Sequence, residues 1–447
     1  MKVRASMKGL TYQEIAERLG GQGSLRRIEG YRIDSRQVEP GDLFFALKGE
    51  KTDGHLHLEE VARRGGVGAV VRREFEGAAF GLGLIRVDDP GEAMRSLAKE
   101  LLKIRRPRVI GVTGSMGKTT MKEWIATLLE GAHRVGKSHA SYNSKATFPL
   151  GLLNRTGEEE FLVLEMGMSE PGQIRRHVEL SHPEVAVLTT IGPVHAEFFP
   201  DGMAGIAREK AEIFSENPRV ALMDVDFLKW GIEVGGERVT FSAEDRGADY
   251  YLQDGRVDER GVRVMELSLL GHKKPYLHNL IGAIAAVRAV GLSLDVIERQ
   301  VEKLEVPKGR GDEFVRYGVR FVNEAYNANP ISVKAALLGM PKEGGKRIAV
   351  LGSMKELGVY EEVGHREVGE VAKEAVDHLL CIGDEVGPMV EAFADSMKPV
   401  EQFEELEKLV DRLAELMRPG DVVLVKGSRF HRLERVYELL EGRCSFG

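Results

Sequence analysis

Cysteine is nearly absent: Cys381 and Cys444 are the only two in 447 residues. That is too few for a disulfide framework or a cysteine-built zinc site, and it fits a reducing compartment. No stretch approaches the ~20 uncharged apolar residues that a membrane span needs. The opening MKVRASMKGLTYQEIAERLGG lacks the apolar core of a secretory leader. These absences predict a cytoplasmic protein. Positive charge is not in excess: 63 Lys and Arg face 70 Asp and Glu, a formal net charge of −7. A general nucleic-acid binder is therefore not expected. Internal repeats and low-complexity segments are missing as well.

What is present is a globular balance, 43% hydrophobic and 30% charged residues. At roughly 100–200 residues per domain, about two to four domains fit this length. The patterning predicts an α/β protein of three domains. Residues 1–103 read as a small mixed domain, with a helix over Leu10–Gly20 and strands at Gly41–Leu47 and Gly66–Arg72. Lys103–Arg108, charged and holding a proline, reads as a linker. Residues 104–305 alternate strand patterns (Arg108–Gly114, Phe161–Gly167, Glu184–Gly192) with helical ones, which argues for a mostly parallel sheet covered by helices. The small-residue run Gly282–Leu292 predicts a tightly packed helix. Residues 306–447 repeat the pattern at Arg347–Ser353, His378–Asp384 and Asp421–Ser428, each apolar run ending in a glycine turn. This third part is Rossmann-like but lacks G-x-G-x-x-G, so no bound dinucleotide is expected.

The most informative stretch is Gly111–Thr120, GVTGSMGKTT. An apolar strand leads into it, and MKEWIATLLE follows with Trp124, Ile125, Leu128 and Leu129 at helical spacing. Backbone N–H groups of a glycine turn and a helix N-terminus together cradle anions. Gly114, Ser115, Met116, Gly117 and Thr120 form or flank the cradle; Lys118 would reach the outer phosphates and Thr119 would offer its hydroxyl to Mg²⁺. Val112 occupies the first position of the common G-x-x-x-x-G-K-S/T spacing, so this is a variant of that loop. A magnesium nucleotide needs an acid. Glu165 ends the FLVLE strand at the sheet edge facing the loop, and His195 follows the next strand.

Together these segments resemble the Mur ligases, ATP-dependent amide-forming enzymes of peptidoglycan precursor synthesis. TGSMGKTT is similar to the family's phosphate loop, and LEMG and IGPVHAE to its two metal-side motifs. YRIDSRQVEPGDLFFALKGEKTDGH (Tyr31–His55) resembles the family's uridine-nucleotide-binding domain. YNANP (Tyr326–Pro330), VLGSMKELG and VKGSR resemble the member that joins D-alanyl-D-alanine to UDP-MurNAc-tripeptide. The resemblance implies an acyl-phosphate mechanism, two Mg²⁺ ions near Glu165 and His195, and a lysine at Lys210 that is carbamylated in the family. It also implies adenine contact by Asn279, ATP contact by Arg310 and Asn323, and a monomer. Ser35, Arg36, Lys48, Gly49, Asp53, Gly54 and His55 are implied for the UDP end. Asn143, Tyr326, Asn327 and Asn329 are implied for the remaining substrate contacts.

The sequence also departs from the family pattern. Asn143 keeps its place, but Ser144, Lys145 and Thr147 differ around it; Asn323 and Glu324 stand where two aspartates are usual; Ser353 replaces another aspartate; and Gly282 replaces an asparagine. The acceptor peptide's third residue and the incoming amine stay open on this reading. So do two alternatives: another Mur-type ligase with a different peptide or amine, and an ATP-binding scaffold that joins nothing.

Overall fold

The computed structural model describes residues 12–19, 27–49, 52–139, 142–168, 170–194, 196–267, 274–342 and 344–443. Cys444 and His195 lie outside them, as do parts of the expected first helix, which spans Tyr12–Arg18 here.

Three sheets organise the chain. The first is a four-stranded parallel sheet of Gly30–Arg32, Asp42–Phe45, Gly68–Arg72 and Gly83–Val87, in chain order. The DLFF strand is buried at every position, as a parallel strand covered on both faces must be. The helix Pro90–Arg105 closes over it. Asp89 caps its start by accepting from Gly91 and Glu92 N–H, Pro90 pre-sets its first turn, and Ala93, Met94, Leu97, Ala98 and Leu101 make its buried stripe. This helix corrects the expected linker. Lys103–Arg105 are its last turn and Arg108 already begins a strand, leaving Arg106, in the left-handed conformation, and Pro107 as the join. The charges that read as a linker lie on the last turn of a helix whose buried stripe faces the core. The core runs on without a break from this domain into the next. The Asn154 side chain clasps the Tyr31 backbone across that boundary, accepting from its N–H and donating to its C=O, both at 3.0 Å.

The middle domain is a nine-stranded sheet. Arg108–Thr113 lies third from one edge, between Phe161–Glu165 and Val185–Leu188, all parallel. The next two strands in sequence lie on one side of this strand and the following one on the other, so its C-terminal end is a topological switch point, where ligands bind in open α/β sheets. Beyond the expected strands the sheet includes Val135–Lys137, Val220–Asp224, Glu237–Ser242, Tyr250–Gln253 and an antiparallel pair, Arg256–Glu259 with Val262–Glu266. The helices Lys118–Leu129 and Lys274–Ala289 pack together on one face. At Gly282 a Cβ would lie 2.5 Å from Met121 Cε and 2.9 Å from Phe241 Cε2, so the small residue permits the close approach expected of this helix.

The third domain is a six-stranded sheet in the order Asp312–Arg316, Val319–Glu324, Val422–Lys426, Arg347–Gly352, His378–Ile382, Val400–Phe403; only the first strand is antiparallel. The last strand in sequence slots between the second and third, which makes another switch point. The ends of Val319–Glu324 and Val422–Lys426 face the switch point of the middle domain across one cavity. No helix among the described residues is long and apolar enough to cross a membrane.

Candidate functional site

Strand Arg108–Thr113 ends in a loop that only glycine can follow. Gly114 takes φ 148° and Gly117 φ 78°; Cβ atoms there would stand 1.8 Å from Thr189 Oγ1 and 2.2 Å from Asn279 Oδ1. The loop is pinned to the segment after Val185–Leu188. Ser115 N–H donates to Thr190 O (2.7 Å), Ser115 Oγ exchanges hydrogen bonds with the Gly192 backbone (2.8 and 2.9 Å), and Met116 N–H donates to Thr190 Oγ1 (3.1 Å). The Thr189 hydroxyl donates to Met116 O. Sequence reasoning passed over Thr189 and Thr190; the paired hydroxyls just past a buried strand were the available signal. The helix beginning at Lys118 has no side-chain cap, so its first N–H groups remain for an anion.

Glu165, 1% exposed, stands beside this loop. Thr119 Oγ1 donates to its Oε2 (2.7 Å), Asn143 Nδ2 donates to its Oε1 (3.0 Å), and its own N–H donates to Ser138 Oγ (2.8 Å). Asn143 is itself held: its C=O accepts from Gln173 Nε2 (2.8 Å) and His177 Nε2 (2.9 Å). Burial pushes His177 down to about 4, so the ring is neutral, and it stacks on Phe148 at 4.1 Å. Three residues named from sequence, Thr119, Asn143 and Glu165, thus meet around one carboxylate. Among the described residues, no group of three or more His, Cys, Asp or Glu is placed so that it could hold a metal ion.

Two lysines share one carbonyl. Lys118 Nζ donates to Gly114 O at 2.7 Å and Lys210 Nζ donates to the same oxygen at 3.1 Å. Burial pushes the Lys118 amine down to about 8, against the opposing pull of Glu165, with Arg310 lowering it further. Lys210 is 2% exposed. Burial and the neighbouring Lys118 charge drive its amine well below the ordinary lysine range, opposed by Glu209. The Glu209 carboxylate is engaged elsewhere, accepting from Gly172 N–H (2.9 Å to both oxygens).

The opposite wall comes from the third domain. The Arg310 guanidinium lies 4.1 Å from the centre of the Tyr326 ring. Its turn is fixed by hydrogen bonds rather than loose: Arg310 N–H to Pro307 O (3.1 Å), Gly311 N–H to Asn323 O (2.7 Å), Tyr276 Oη to Arg310 O (2.8 Å). Lys426, 3% exposed, pairs with Glu324 (3.0 Å) and donates to Asn327 O (2.9 Å). Asn329 caps the helix Pro330–Leu338, accepting from Ser332 N–H (2.9 Å). The cavity between the walls measures about 460 Å³ and is lined by Ser115–Lys118, Thr120, Asn143, Glu165, Lys210, Asn279, Arg310, Tyr326, Asn327 and Asn329. Asn323 does not line it; its side chain joins Asp312 (3.2 Å) and accepts from Ala325 N–H (3.2 Å), bracing the first two strands of the sheet.

The residues expected at the UDP end are away from this cavity, and most hold their own loop together. Ser35 Oγ donates to Glu60 (2.6 Å) and Arg36 forks onto Asp34 (2.9 and 2.8 Å). His55 Nδ1–H donates to Asp53 (2.6 Å) while its Nε2 accepts from Arg72 N–H (3.0 Å), and Arg72 Nη2 reaches Asp53 (2.7 Å). Gly49 N–H closes the loop onto Thr52 O (2.9 Å), and a Cβ on Gly54 would stand 2.9 Å from the Leu47 backbone. Lys48 instead lines a second cavity, about 400 Å³, between the first and middle domains, along with the cations Arg72, Arg95, Lys145 and Arg176 and the acids Asp88, Asp89 and Glu92. Scattered single cations from two domains gave sequence reasoning no motif to find.

A phosphate loop, a strand-end acid and a paired lysine on one side, with an arginine-bearing domain on the other, define an ATP-dependent ligase of the Mur type. The chain belongs to the Mur ligase family: three family models match, the Mur ligase family catalytic domain at 27–101, the Mur ligase middle domain at 112–287 and the Mur ligase glutamate ligase domain at 310–429. Among curated proteins it is similar to the UDP-N-acetylmuramoyl-tripeptide–D-alanyl-D-alanine ligase of Escherichia coli, 31% identical over 98% of this chain and 100% of that protein. The same ligase of Bacillus subtilis is 32% identical over 97% and 99%. Among solved structures, MurF from Acinetobacter baumannii superposes with a TM-score of 0.86 at 26% identity, covering 98% of this chain and 100% of that one. The MurF ligase of Thermotoga maritima in complex with ADP gives 0.77 at 29%, covering 93% and 97%.

Proposed function

We propose that the chain joins D-alanyl-D-alanine to UDP-MurNAc-tripeptide at the expense of ATP, in peptidoglycan precursor synthesis. The observation that carries this reading is the convergence of the phosphate loop, Glu165, Lys210 and the third-domain Arg310–Tyr326 pair on one cavity, in a chain matched end to end by ligases of that name.

The chemistry follows from the groups present. A carboxylate does not condense with an amine in water, because oxide is a poor leaving group. The peptide carboxylate attacks the γ-phosphorus, ADP departs, and an acyl phosphate results. The free amine of the dipeptide then attacks the acyl carbon, its proton is lost, and phosphate leaves. The protein's part is alignment and charge neutralisation. Backbone N–H groups of Ser115–Gly117 and the first turn at Lys118 hold the phosphates, with Lys118 and Arg310 spreading the developing charge. Asn279, packed on Gly117, borders the nucleotide. Thr119 and Glu165, oxygen donors already joined, suit a hard cation such as Mg²⁺, which would neutralise the phosphates; His195 is the proposed partner at the second ion. Lys210 suits carbamylation: its amine, whose charged form burial disfavours, attacks CO₂, the new N–C bond forms and a proton leaves, exchanging a potential cation for an anion at the metal side. Tyr326, Asn327 and Asn329 border the entry of the amine, and Lys48 with the second cavity suits the anionic UDP end. Closure of the three domains excludes water from the acyl phosphate. A cytoplasmic monomer completes the proposal.

The test is incubation with ATP, Mg²⁺, UDP-MurNAc-tripeptide and D-alanyl-D-alanine, with the product identified by mass. A product heavier than the tripeptide substrate by the dipeptide less water, absent when either substrate is omitted, supports the reading. ATP binding without product, across varied peptides and amines, refutes it.

A further inference from the structure

The third domain also touches the middle domain outside the cavity. Its turn Gly358–Tyr360 lies against Ala196–Phe198, where Ala196 N–H donates to Glu356 O (2.9 Å). Gly358, at φ 53°, comes so close that a Cβ would stand 2.9 Å from the Glu197 backbone. Tyr360 follows, half-buried, its ring packed against the cores of both domains. The Tyr360 hydroxyl accepts from Met203 N–H (3.3 Å), the first residue of the helix Met203–Ala211. A Cβ on Gly202, at φ 57°, would stand 2.4 Å from that hydroxyl. The helix has no side-chain cap of its own, so an N–H orphaned at its start finds its acceptor in another domain. At the other end of these nine residues sits Lys210, whose amine reaches the phosphate-loop carbonyl of Gly114 (3.1 Å). One short, stiff element therefore has the third domain at its start and the phosphate loop at its end.

We infer that Tyr360 is a positioning residue: through its hydroxyl, the docked third domain fixes the Met203–Ala211 helix and so sets Lys210 against the phosphate loop. The inference rests on the proposed ligase reading and extends it from the reacting groups to the contact that aligns them. It also gives domain docking a chemical consequence. With the third domain away, Met203 N–H turns to water and the helix is held by its own domain alone; with it docked, Lys210 is registered at the moment the amine-bearing domain arrives.

Tyr360→Phe keeps the ring in both cores and removes one acceptor. The expected result is a kcat lowered about fivefold, the loss of one hydrogen bond worth ~1 kcal/mol, with KM for ATP within about twofold of wild type and a melting temperature lowered by no more than about 2 °C. Tyr360→Ala lowers kcat further and speeds amide hydrogen exchange across 203–211, while the strand Phe161–Glu165 exchanges as before. Wild-type kcat in Tyr360→Phe overturns the inference, as does a kcat loss matched by a rise in KM for ATP. Unchanged exchange at 203–211 in Tyr360→Ala overturns it as well. If the wild-type chain forms no amide, the ligase reading fails by itself, and the exchange measurement on the full chain still decides whether Tyr360 holds this helix.

Discussion

Lys118 titrates where it can be watched. Its amine is enclosed at the cavity wall, and burial takes it from the ordinary 10.5 down to about 8, even with Glu165 opposing the fall. That drop corresponds to about 3 kcal/mol held against the charged form. A bound triphosphate restores the missing counter-charge, so the ammonium is favoured in the complex and its pKa rises. The sign follows. Below pH 8 the free enzyme already carries the proton, and binding takes up little. Above it, binding must draw a proton from solvent, and affinity falls by about tenfold per pH unit. Near pH 8 the uptake is about half a proton per nucleotide, and near pH 9 about nine-tenths. Titration calorimetry with a non-hydrolysable ATP analogue, repeated in buffers of different ionisation enthalpy, reads this uptake directly. Lys118→Ala should bind more weakly and lose the uptake step centred near pH 8. Affinity that stays flat from pH 7 to 9.5, or an uptake step near pH 8 that persists unchanged in Lys118→Ala, would refute the assignment of this lysine to the phosphates.

Other substitutions separate the parts. Lys118→Ala abolishes amide formation while leaving the melting temperature near wild type, checked by product mass and thermal denaturation. Glu165→Gln leaves Thr119 and Asn143 facing a neutral amide in place of the carboxylate both donate to; kcat should fall by at least about a hundredfold, with the Mg²⁺ concentration for half-maximal activity raised, in a steady-state assay. Gly117→Ala places a methyl 2.2 Å from Asn279 Oδ1 at a φ of 78°, so nucleotide affinity should drop by at least about tenfold with a folded third domain. Lys426→Met strands the Glu324 carboxylate and should cost about 2 kcal/mol, read as a lower melting temperature.

The site's chemistry was legible where one residue type must occupy one place. Gly117, Lys118 and the acid Glu165 at the end of a buried strand follow from what phosphate and metal require, and all three line one cavity; Gly114 and Thr119 are hydrogen-bonded to Lys118 and Glu165. Strands with uninterrupted apolar runs, such as Phe161–Glu165 and Val422–Lys426, were equally readable because both faces are covered. Less could be read where function and support use the same residue types. Asp53 and His55 look like ligand contacts in sequence, yet they brace each other and Arg72. Asn323 looks like its neighbours in the YNANP segment but ties two strands together. The pair Arg256–Glu259 and Val262–Glu266 is mostly polar, short and at the sheet edge, so it carries little apolar periodicity. The contact between Tyr360 and Met203 joins positions 157 residues apart, and no local pattern announces it.

The central claim is that the peptide carboxylate is activated by phosphorylation in the cavity between the middle and third domains. Oxygen-18 placed in the acceptor carboxylate of UDP-MurNAc-tripeptide tests it most directly, with the released phosphate read by mass. An acyl phosphate hands one labelled oxygen to each phosphate when ATP and D-alanyl-D-alanine are present, and Lys118→Ala releases none. Phosphate that appears without the label would mean that water, not the carboxylate, attacks ATP, and would contradict the account.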